Sequence, residues 1–235
     1  MSARPFLTAE WRSLVVLNYV VDPAILAPHV PRGTELDLWE GEAVISMVGF
    51  LFLQTRLLGV PVPFHCDFEE VNLRFYVRRR VGEEWRRGVT FIREFVPRRA
   101  VAWTARAIYN EPYMTLPMRH RIAAGELEYS WKFAGSWHRL GAAVNGEPRG
   151  IAPGSEHEFI FENYWGYTRQ RDGGTIEYEV EHPPWPVWTA ERAWFESDMC
   201  ALYGATFAGP LSAAPRSAFV AEGSPITVRR AVRIV

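Results

Sequence analysis

Apolar and polar side chains alternate from residue 70 to residue 77 of the stretch 68–77, FEEVNLRFYV. One row of the alternation is apolar and consists of Val71, Leu73, Phe75 and Val77. The other row carries an acid, an amide, a base and a phenol, which are Glu70, Asn72, Arg74 and Tyr76. A period of two is that of a β-strand, whose successive side chains point to opposite faces. The stretch therefore predicts a strand with one apolar face, and it leaves open whether the polar row meets water or lines a site.

Segments of β character recur along most of the chain. Strands are predicted at about 11–21, 35–39, 43–53, 68–80, 85–97, 116–122, 126–134, 137–145, 157–163 and 175–182, with further segments VWTAERAWF, SAFVAEG and SPITVRRAVRIV. The segment 43–53, AVISMVGFLFL, is apolar on both faces, which is typical of a central strand. A turn at Gly82-Glu83 predicts a β-hairpin. Many short strands favour a mostly β fold, a curled antiparallel barrel with a few short helices.

The helical segments are few. RRAVAWTARAIYN, residues 98–110, repeats small and apolar residues at helical spacing, and Pro112 ends it. A shorter helix follows Asp22-Pro23, where the acid is suited to the cap and proline to the first turn. ESDMCALYGATF predicts another short helix.

Length and composition restrict the classes of partner. The chain has 235 residues, 48% of them hydrophobic, and no linker divides it, so residues 1–235 are expected to form one domain. A formal net charge of −1 gives no basis for binding nucleic acid. The longest apolar run, 43–53, is too short to span a bilayer, so no membrane association is expected.

The compartment is predicted from cysteine usage and from the first residues. Residues 1–13, MSARPFLTAEWRS, contain no long apolar run, so no signal peptide is expected. Cys66 and Cys200 are the only cysteines and are interpreted as reduced thiols. A cytoplasmic location follows as the expectation.

Motifs for common cofactors are missing from the sequence. The six histidines are scattered, without HxxxH or CxxC spacing, so no metal site is expected. There is no GxGxxG, P-loop or GxSxG motif either, and no cofactor is predicted.

Several stretches together resemble a known family. They are LVVLNYVVDPAILAPHVPRGTELDLWEG, GVPVPFHCDFEEVNLRFYVR, GVTFIREFVPRRAVAWTARAIYNEPYMTLPMRH, EHPPWPVW and FVAEGSPITV. The chain resembles the acetoacetate-decarboxylase-like superfamily and, within it, the branch called domain of unknown function 2071 (YqjF-like). The resemblance implies a β-cone fold that encloses a small, partly apolar cavity. In the decarboxylases, a lysine in that cavity forms a Schiff base with a β-keto acid.

The sequence departs from the decarboxylases at that lysine. The segment expected to carry it, ARAIYNEPYMTLPM, contains none. Lys132 is the single lysine of the chain and lies in a different predicted strand, YSWKF, where an exposed or edge position is expected. Arginine cannot substitute, because its guanidinium stays protonated. The expectation is therefore the fold without the Schiff base.

The resemblance turns the polar row of 68–77 inward, because the cavity acid of the superfamily matches Glu70 best. Glu70 is then a candidate general acid or base. Arg74 is a candidate clamp for a carboxylate, and Asn72 a group that orients either one. The alternative is a solvated strand face, on which these three side chains form a weak surface ladder.

Further candidates lie near residues 105–113. Glu111 and Tyr113, in YNEPY, follow the predicted helix, where the resemblance places the active-site turn, so they are candidates to face the ligand. Glu111 could instead satisfy a turn, and Tyr113 could pack. Arg106, on the helix, is a candidate ligand-binding residue or a solvated one.

Arg93 and Glu94 point to opposite faces of one predicted strand, so at most one is expected inside. His120 is expected to be exposed, and Trp185 and Trp188 are expected to pack.

Three functions remain open at this point. The first is an enzyme that acts on a small organic acid, such as a keto acid, by acid–base chemistry of the lyase or hydratase type. The second is a protein that binds a small ligand without chemistry, and the third is a scaffold whose cavity is filled by its own aromatic side chains. The edges of such a fold also allow a homodimer.

Overall fold

Two β-sheets make up most of the structure, a computed structural model that describes residues 5–235. Residues 1–4 therefore lie outside the described residues. They belong to the segment 1–13, from which no signal peptide is expected. The strands are β1 (Leu7–Val21), β2 (Glu35–Leu36), β3 (Ala43–Leu57), β4 (Val60–Pro61), β5 (Phe68–Val81), β6 (Glu84–Val96), β7 (Tyr113–Thr115), β8 (Met118–Ala123), β9 (Glu126–Phe133), β10 (Ser136–Ala143), β11 (Trp165–Arg169), β12 (Thr175–Glu181), β13 (Val187–Thr189), β14 (Arg192–Glu196), β15 (Ser217–Val228) and β16 (Val232–Arg233). The helices are α1 (Pro23–Leu26), α2 (Arg99–Ile108), α3 (Glu156–Phe161), α4 (Met199–Tyr203) and α5 (Ala205–Ser212), with a 3-10 turn at Ala27–His29.

The larger sheet closes on itself as a barrel. Its ring runs β15-β1-β3-β5-β6-β11-β12, and β12 pairs back to β15 through Val180–Val228 and Glu181–Thr227. Neighbours in the ring are antiparallel except β6 and β11, which are parallel. Short strands β2, β4, β7, β13 and β16 extend it at the edges. The prediction of a mostly β fold built on a curled, largely antiparallel barrel is confirmed.

The smaller sheet, in the order β14-β10-β9-β8, covers the outside of the barrel. Its side chains Tyr129, Trp131 and Leu140 pack with outward residues of the barrel strands, such as Leu17. The two sheets approach closely at Gly49, where a Cβ atom would lie 2.7 Å from the Tyr129 ring. A glycine is therefore required at this contact.

Strand β5 lies at the centre of the ring, between β3 and β6. Its apolar row packs into the layer between barrel and outer sheet, and the members of this row are Val71, Leu73, Phe75 and Val77. Its other row, Glu70, Asn72, Arg74 and Tyr76, points to the barrel interior. The predicted alternation is confirmed, and the polar row does not form an open solvated face.

A β-bulge in β6 changes which residues face inward. Leu73 of β5 is paired with Arg93, but the next residue, Arg74, is paired with Phe91, so Ile92 is an extra residue. Phe91 before the bulge and Glu94 after it therefore both line the barrel interior.

The strand predicted at 157–163 is wrong, because helix α3 occupies most of it. Ser155 caps this helix, and its hydroxyl accepts a hydrogen bond from the Glu158 backbone N–H at 3.3 Å. The buried run Phe159–Phe161, which looks like a strand in sequence, packs into the cluster inside the barrel. The structure also has an unpredicted strand, β11, and joins SAFVAEG and SPITV in one strand, β15.

Helices are short throughout this fold. Asp22 caps α1 as predicted and accepts a hydrogen bond from the Ala24 N–H at 2.8 Å. None of the helices within residues 5–235 combines the length and the apolar character needed to cross a membrane.

Candidate functional site

The barrel interior contains a cavity of about 270 Å³. Most of its wall is apolar and aromatic, contributed for example by Val48, Phe50 and Phe91. The polar residues that line it include Glu70, Asn72, Arg74, Glu94, Glu111, Tyr113 and Tyr178. The cavity could accommodate the liquid volume of about nine water molecules. The aromatic side chains therefore line the interior without filling it.

Glu70 is held by two hydrogen bonds at this cavity and is only 2% exposed. The Asn72 side-chain amide donates to Glu70 Oε1 at 3.0 Å, and the Tyr113 hydroxyl donates to Oε2 at 2.8 Å. Burial raises the pKa of Glu70 to about 7, although the two hydrogen bonds and the charge of Arg74 oppose the rise. Near neutral pH this carboxyl is therefore present in both protonation states.

Two more buried carboxyl groups, Glu94 and Glu111, share the cavity. Burial raises the pKa of Glu94 well above its ordinary value, and the charges of Glu111 and Glu70 add to the rise. Burial also raises the pKa of Glu111 to about 7, against hydrogen bonds from the Thr168 and Tyr178 hydroxyls. Because like charges in a buried site disfavour one another, the three carboxyls are not all ionised together near neutral pH.

The phenols beside these carboxyls remain donors. Tyr113 donates to Glu70, and Tyr178 donates to Glu111 Oε1 at 3.1 Å. Burial and the neighbouring carboxylates raise the pKa of both tyrosines well above the ordinary value. Each phenol therefore keeps its proton near neutral pH and is available as a hydrogen-bond donor.

Arg74 supplies the positive charge of the cavity. Its Nη2 donates to the Ile160 carbonyl oxygen at 3.2 Å, and its guanidinium lies 5.7 Å from the centre of the Tyr76 ring. Its Nε is buried without a hydrogen-bond partner, and none of the ion pairs within residues 5–235 involves Arg74. The guanidinium therefore has donor capacity left for an anion.

The structure thus brings five of the six candidate residues to one cavity: Glu70, Asn72, Arg74, Glu111 and Tyr113. Arg106 does not join them. Helix α2 turns Ala100, Val101, Thr104 and Ala105 towards the cavity, whereas Arg106 is exposed and does not line it. Two residues along a helix are about 200° apart around its axis, which places Arg106 away from Thr104.

Lys132 also lies away from the cavity. It is exposed, on strand β9 of the outer sheet, and it does not contribute to the cavity wall. His120 is exposed as predicted, and its Nδ1 lies 2.8 Å from Glu69 Oε1.

The sequence pattern leaves the role of Glu94 open and does not identify Tyr178. The sequence contains one signal for Glu94, the adjacent apolar pair Phe91-Ile92. At this pair the alternation of inward and outward side chains along β6 shifts by one residue. Tyr178 belongs to the alternation of β12, but only the closure of the barrel brings this strand to the site. Trp185 packs as predicted, with its indole N–H donating to Ser224 Oγ at 2.8 Å, and it also lines the cavity.

Metal ligands do not converge in the part of the chain that the structure describes. No group of three or more His, Cys, Asp or Glu side chains in residues 5–235 is arranged to hold a metal ion.

Comparison with known families identifies relatives over most of the chain. The model of the domain of unknown function 2071 family, described as an uncharacterized conserved protein, matches residues 8–225. The uncharacterized protein YqjF of Bacillus subtilis is 28% identical over 191 residues, which cover 77% of this chain and 74% of YqjF.

Solved structures with the same fold include an acetoacetate decarboxylase and a biosynthetic enzyme. Acetoacetate decarboxylase from Legionella pneumophila matches with a TM-score of 0.70 and 15% identity, over 98% of this chain and 87% of the decarboxylase. The enduracididine biosynthesis enzyme MppR, in complex with pyruvate, matches with a TM-score of 0.68 and 14% identity, over 99% of this chain and 91% of MppR. An acetoacetate decarboxylase-like enzyme from Sphingomonas wittichii matches with a TM-score of 0.66 and 14% identity, over 97% and 92% of the two chains. At this level of identity the similarity establishes the fold.

Proposed function

The chain belongs to the domain of unknown function 2071 family and has the acetoacetate-decarboxylase-like fold, and from this premise we propose that it transforms a small organic acid, such as a keto acid, in the barrel cavity. The chemistry is acid–base catalysis without a Schiff base. One observation carries the proposal: Glu70, whose pKa is raised to about 7, faces the same cavity as Arg74, whose guanidinium has no ion-pair partner among the described residues.

Arg74 binds the carboxylate of the substrate in this proposal. A guanidinium presents its donors in a planar fork that matches a carboxylate, and such charge-assisted hydrogen bonds are the stronger ones. Apart from its bond to the Ile160 carbonyl, Arg74 keeps donors available, and Asn72 separates it from Glu70 on the same strand face.

Glu70 and a second carboxyl divide the proton transfer between them. The ionised form of Glu70 removes a proton from the carbon next to the keto group, and the electrons of that C–H bond form a C=C bond. The electrons of the C=O bond move to oxygen, which takes a proton from a neutral carboxyl or phenol, with Glu94 and Tyr113 as the candidates. The product is the enol, and the different environments of Glu70 and Glu94 favour base and acid roles respectively.

The position of the single lysine supports the proposal that no Schiff base forms. Lys132 is exposed and outside the cavity wall, so burial does not lower its pKa towards that of a reactive amine. Borohydride reduction in the presence of acetoacetate is expected to leave the mass of the protein unchanged. A covalent adduct on Lys132 would contradict this part of the proposal.

Deuterium exchange tests the acid–base step directly. Pyruvate and 2-oxobutanoate are suitable probes, since the similar enzyme MppR is known in complex with pyruvate. Wild-type protein in D2O is expected to speed the exchange of their C3 protons, as seen by NMR, and Glu70→Gln should reduce the acceleration by about 100-fold or more. Glu69→Gln is the matched control, because Glu69 is the neighbouring carboxyl on the opposite face of β5 and does not line the cavity.

The same experiment separates an enzyme from a binding protein. If keto acids bind but no probe exchanges faster than in buffer, the protein is a small-ligand-binding protein and the catalytic part of the proposal fails. If Glu69→Gln and Glu70→Gln lose activity equally, Glu70 has no specific role.

We also propose that the protein is a single domain, a cytoplasmic protein and a homodimer. The barrel draws its strands from residues 7 to 228 and the outer sheet from residues 118 to 196, which supports one domain over 1–235. Cys66 and Cys200 are free thiols, which supports a reducing compartment such as the cytoplasm. The exposed edge strand β8 supports a homodimer, which light scattering would measure.

A further inference from the structure

Two buried acceptor atoms on residues of the cavity wall have no donor. They are Asn72 Oδ1 and Glu94 Oε2, which have no hydrogen-bond partner among the described residues. Their side chains are 2% and 1% exposed, and both line the cavity. Asn72 and Glu94 are also directly paired across β5 and β6, so their Cβ atoms lie about 5 Å apart.

The orientation of the Asn72 amide follows from its other contact. Its Nδ2 donates to Glu70 Oε1 at 3.0 Å, which leaves Oδ1 to accept from elsewhere. With Glu94 ionised, both atoms are acceptors. An unsatisfied buried acceptor destabilises the folded protein, so this pair of atoms is then matched to a ligand that brings N–H or O–H donors.

The charges around the pair favour a cationic donor. Three carboxyls line the cavity, Glu70, Glu94 and Glu111, against the single guanidinium of Arg74. Burial lowers the pKa of His182, and the charge of Arg74 adds to the fall, so this histidine of the cavity wall adds little positive charge at the acids. A positive charge beside the three carboxyls would therefore lower their mutual repulsion.

Aromatic rings complete this end of the cavity. Tyr113 and Tyr178 bond to the carboxyls, and Tyr109 packs edge-on against Tyr178 with ring centres 5.7 Å apart. Aromatic faces attract organic cations, whereas a metal ion requires converging ligands that residues 5–235 do not provide.

We infer that the ligand carries a protonated nitrogen as well as a carboxylate, and that the nitrogen binds between Asn72 and Glu94. This inference rests on the proposed function, since it assigns the carboxylate to Arg74. It keeps Glu94 ionised beside the bound cation, which leaves Tyr113 as the candidate proton donor. The substrate class is then a small amino-bearing organic acid, with its two charges separated along a short chain. Arg74 and Asn72 are neighbours on one strand face, about 7 Å apart, which sets the scale of that separation.

Matched pairs of small acids test the inference by calorimetry. The probes are 3-aminopropanoate, 4-aminobutanoate and 5-aminopentanoate, each beside the acid of the same length that lacks the amine. At least one amino acid is expected to bind wild-type protein tenfold or more tighter than its partner, as follows for a hydrogen bond to a charged group. Glu94→Gln should reduce this advantage to within about threefold, while Glu69→Gln should preserve it.

Arg74→Gln separates a failure of the nitrogen site from a failure of the proposed function. It should weaken both members of a pair by a similar factor, since it removes the site of the carboxylate. If the amino and plain acids bind wild-type protein equally, the inference fails while the proposed role of Arg74 stands. If no acid binds, or Arg74→Gln changes nothing, the proposed function fails with it. The comparison in wild-type protein requires no variant, so a folding defect in Glu94→Gln would not obscure the result.

Discussion

The two faces of strand β5 are both buried around Glu70–Leu73 and are chemically opposite. On the outer face, Val71, Leu73 and Phe75 are 0% exposed within the apolar layer under the second sheet. On the inner face, Glu70 and Asn72 are 2% exposed and border a cavity. Burial of the first set stabilises the fold, whereas burial of a carboxyl opposes its ionisation and destabilises the fold once the group is charged. Burial alone therefore does not distinguish a core residue from a site residue. The presence of a cavity beside the side chain does distinguish them.

The outer face should be the more sensitive to truncation. Leu73→Ala leaves a cavity in a fully packed layer, which is expected to lower the free energy of unfolding by about 2–5 kcal/mol. Urea denaturation followed by circular dichroism measures this loss. A loss below about 1 kcal/mol would mean that the layer between the sheets is not closely packed.

The inner face should make the protein less stable as pH rises. A carboxylate in a stabilising ion pair has the opposite effect. The pKa of Glu70 is about 7 in the folded protein against an ordinary 4.5, so the folded state holds more protons between these pH values. Stability therefore falls as pH rises through this window, by up to about 3 kcal/mol. Glu70→Gln does not titrate, so its stability relative to wild type should rise from about pH 4.5 to about pH 8. Parallel stability curves for the two proteins would contradict the raised pKa.

The two buried phenols should differ in their effect on Glu70. Tyr113→Phe removes a donor that favours the ionised carboxyl, so the pKa of Glu70 should rise further, by about one unit. Tyr178→Phe removes a similar donor from Glu111 and should move Glu70 less. The pH profile of ligand binding or turnover measures both shifts, and equal shifts would show that the cavity does not distinguish the two carboxyls.

The smallest effect is expected in the outer sheet at Lys132. This side chain is exposed and lies outside the cavity wall, so Lys132→Gln should change stability by less than about 0.5 kcal/mol and leave ligand binding unchanged. A loss of turnover in this variant would show that the lysine takes part in the chemistry.

Local sequence patterns predicted the strand but not the assembly of the site. Alternation predicted β5 and its two faces, because a strand has a fixed period of two. It could not place Glu94, since the bulge at Ile92 shifts the parity of β6 by one residue. It could not identify Tyr178 either, because β12 reaches the site through its pairing with β11, an unpredicted strand, and through the closing pairs with β15.

Helical segments show the same limit. The spacing of Ala100, Val101 and Thr104 predicted helix α2, but the helix face that meets the cavity leaves Arg106 exposed. The run from Phe159 to Phe161 fits a strand by its apolar character, and the Ser155 cap together with packing inside the barrel makes it a helix. Tertiary contacts, which a single sequence does not display, decided both outcomes.

The titration of Glu70 tests the central claim most directly. Carbon-13 NMR of protein labelled at the glutamate side-chain carboxyl, with the signal assigned by its loss in Glu70→Gln, gives the pKa of this group. A cavity-facing, buried Glu70 predicts a midpoint near 7. A midpoint near 4.5, the ordinary value for a glutamate in water, would contradict the claim that the polar row of β5 forms a site inside the barrel.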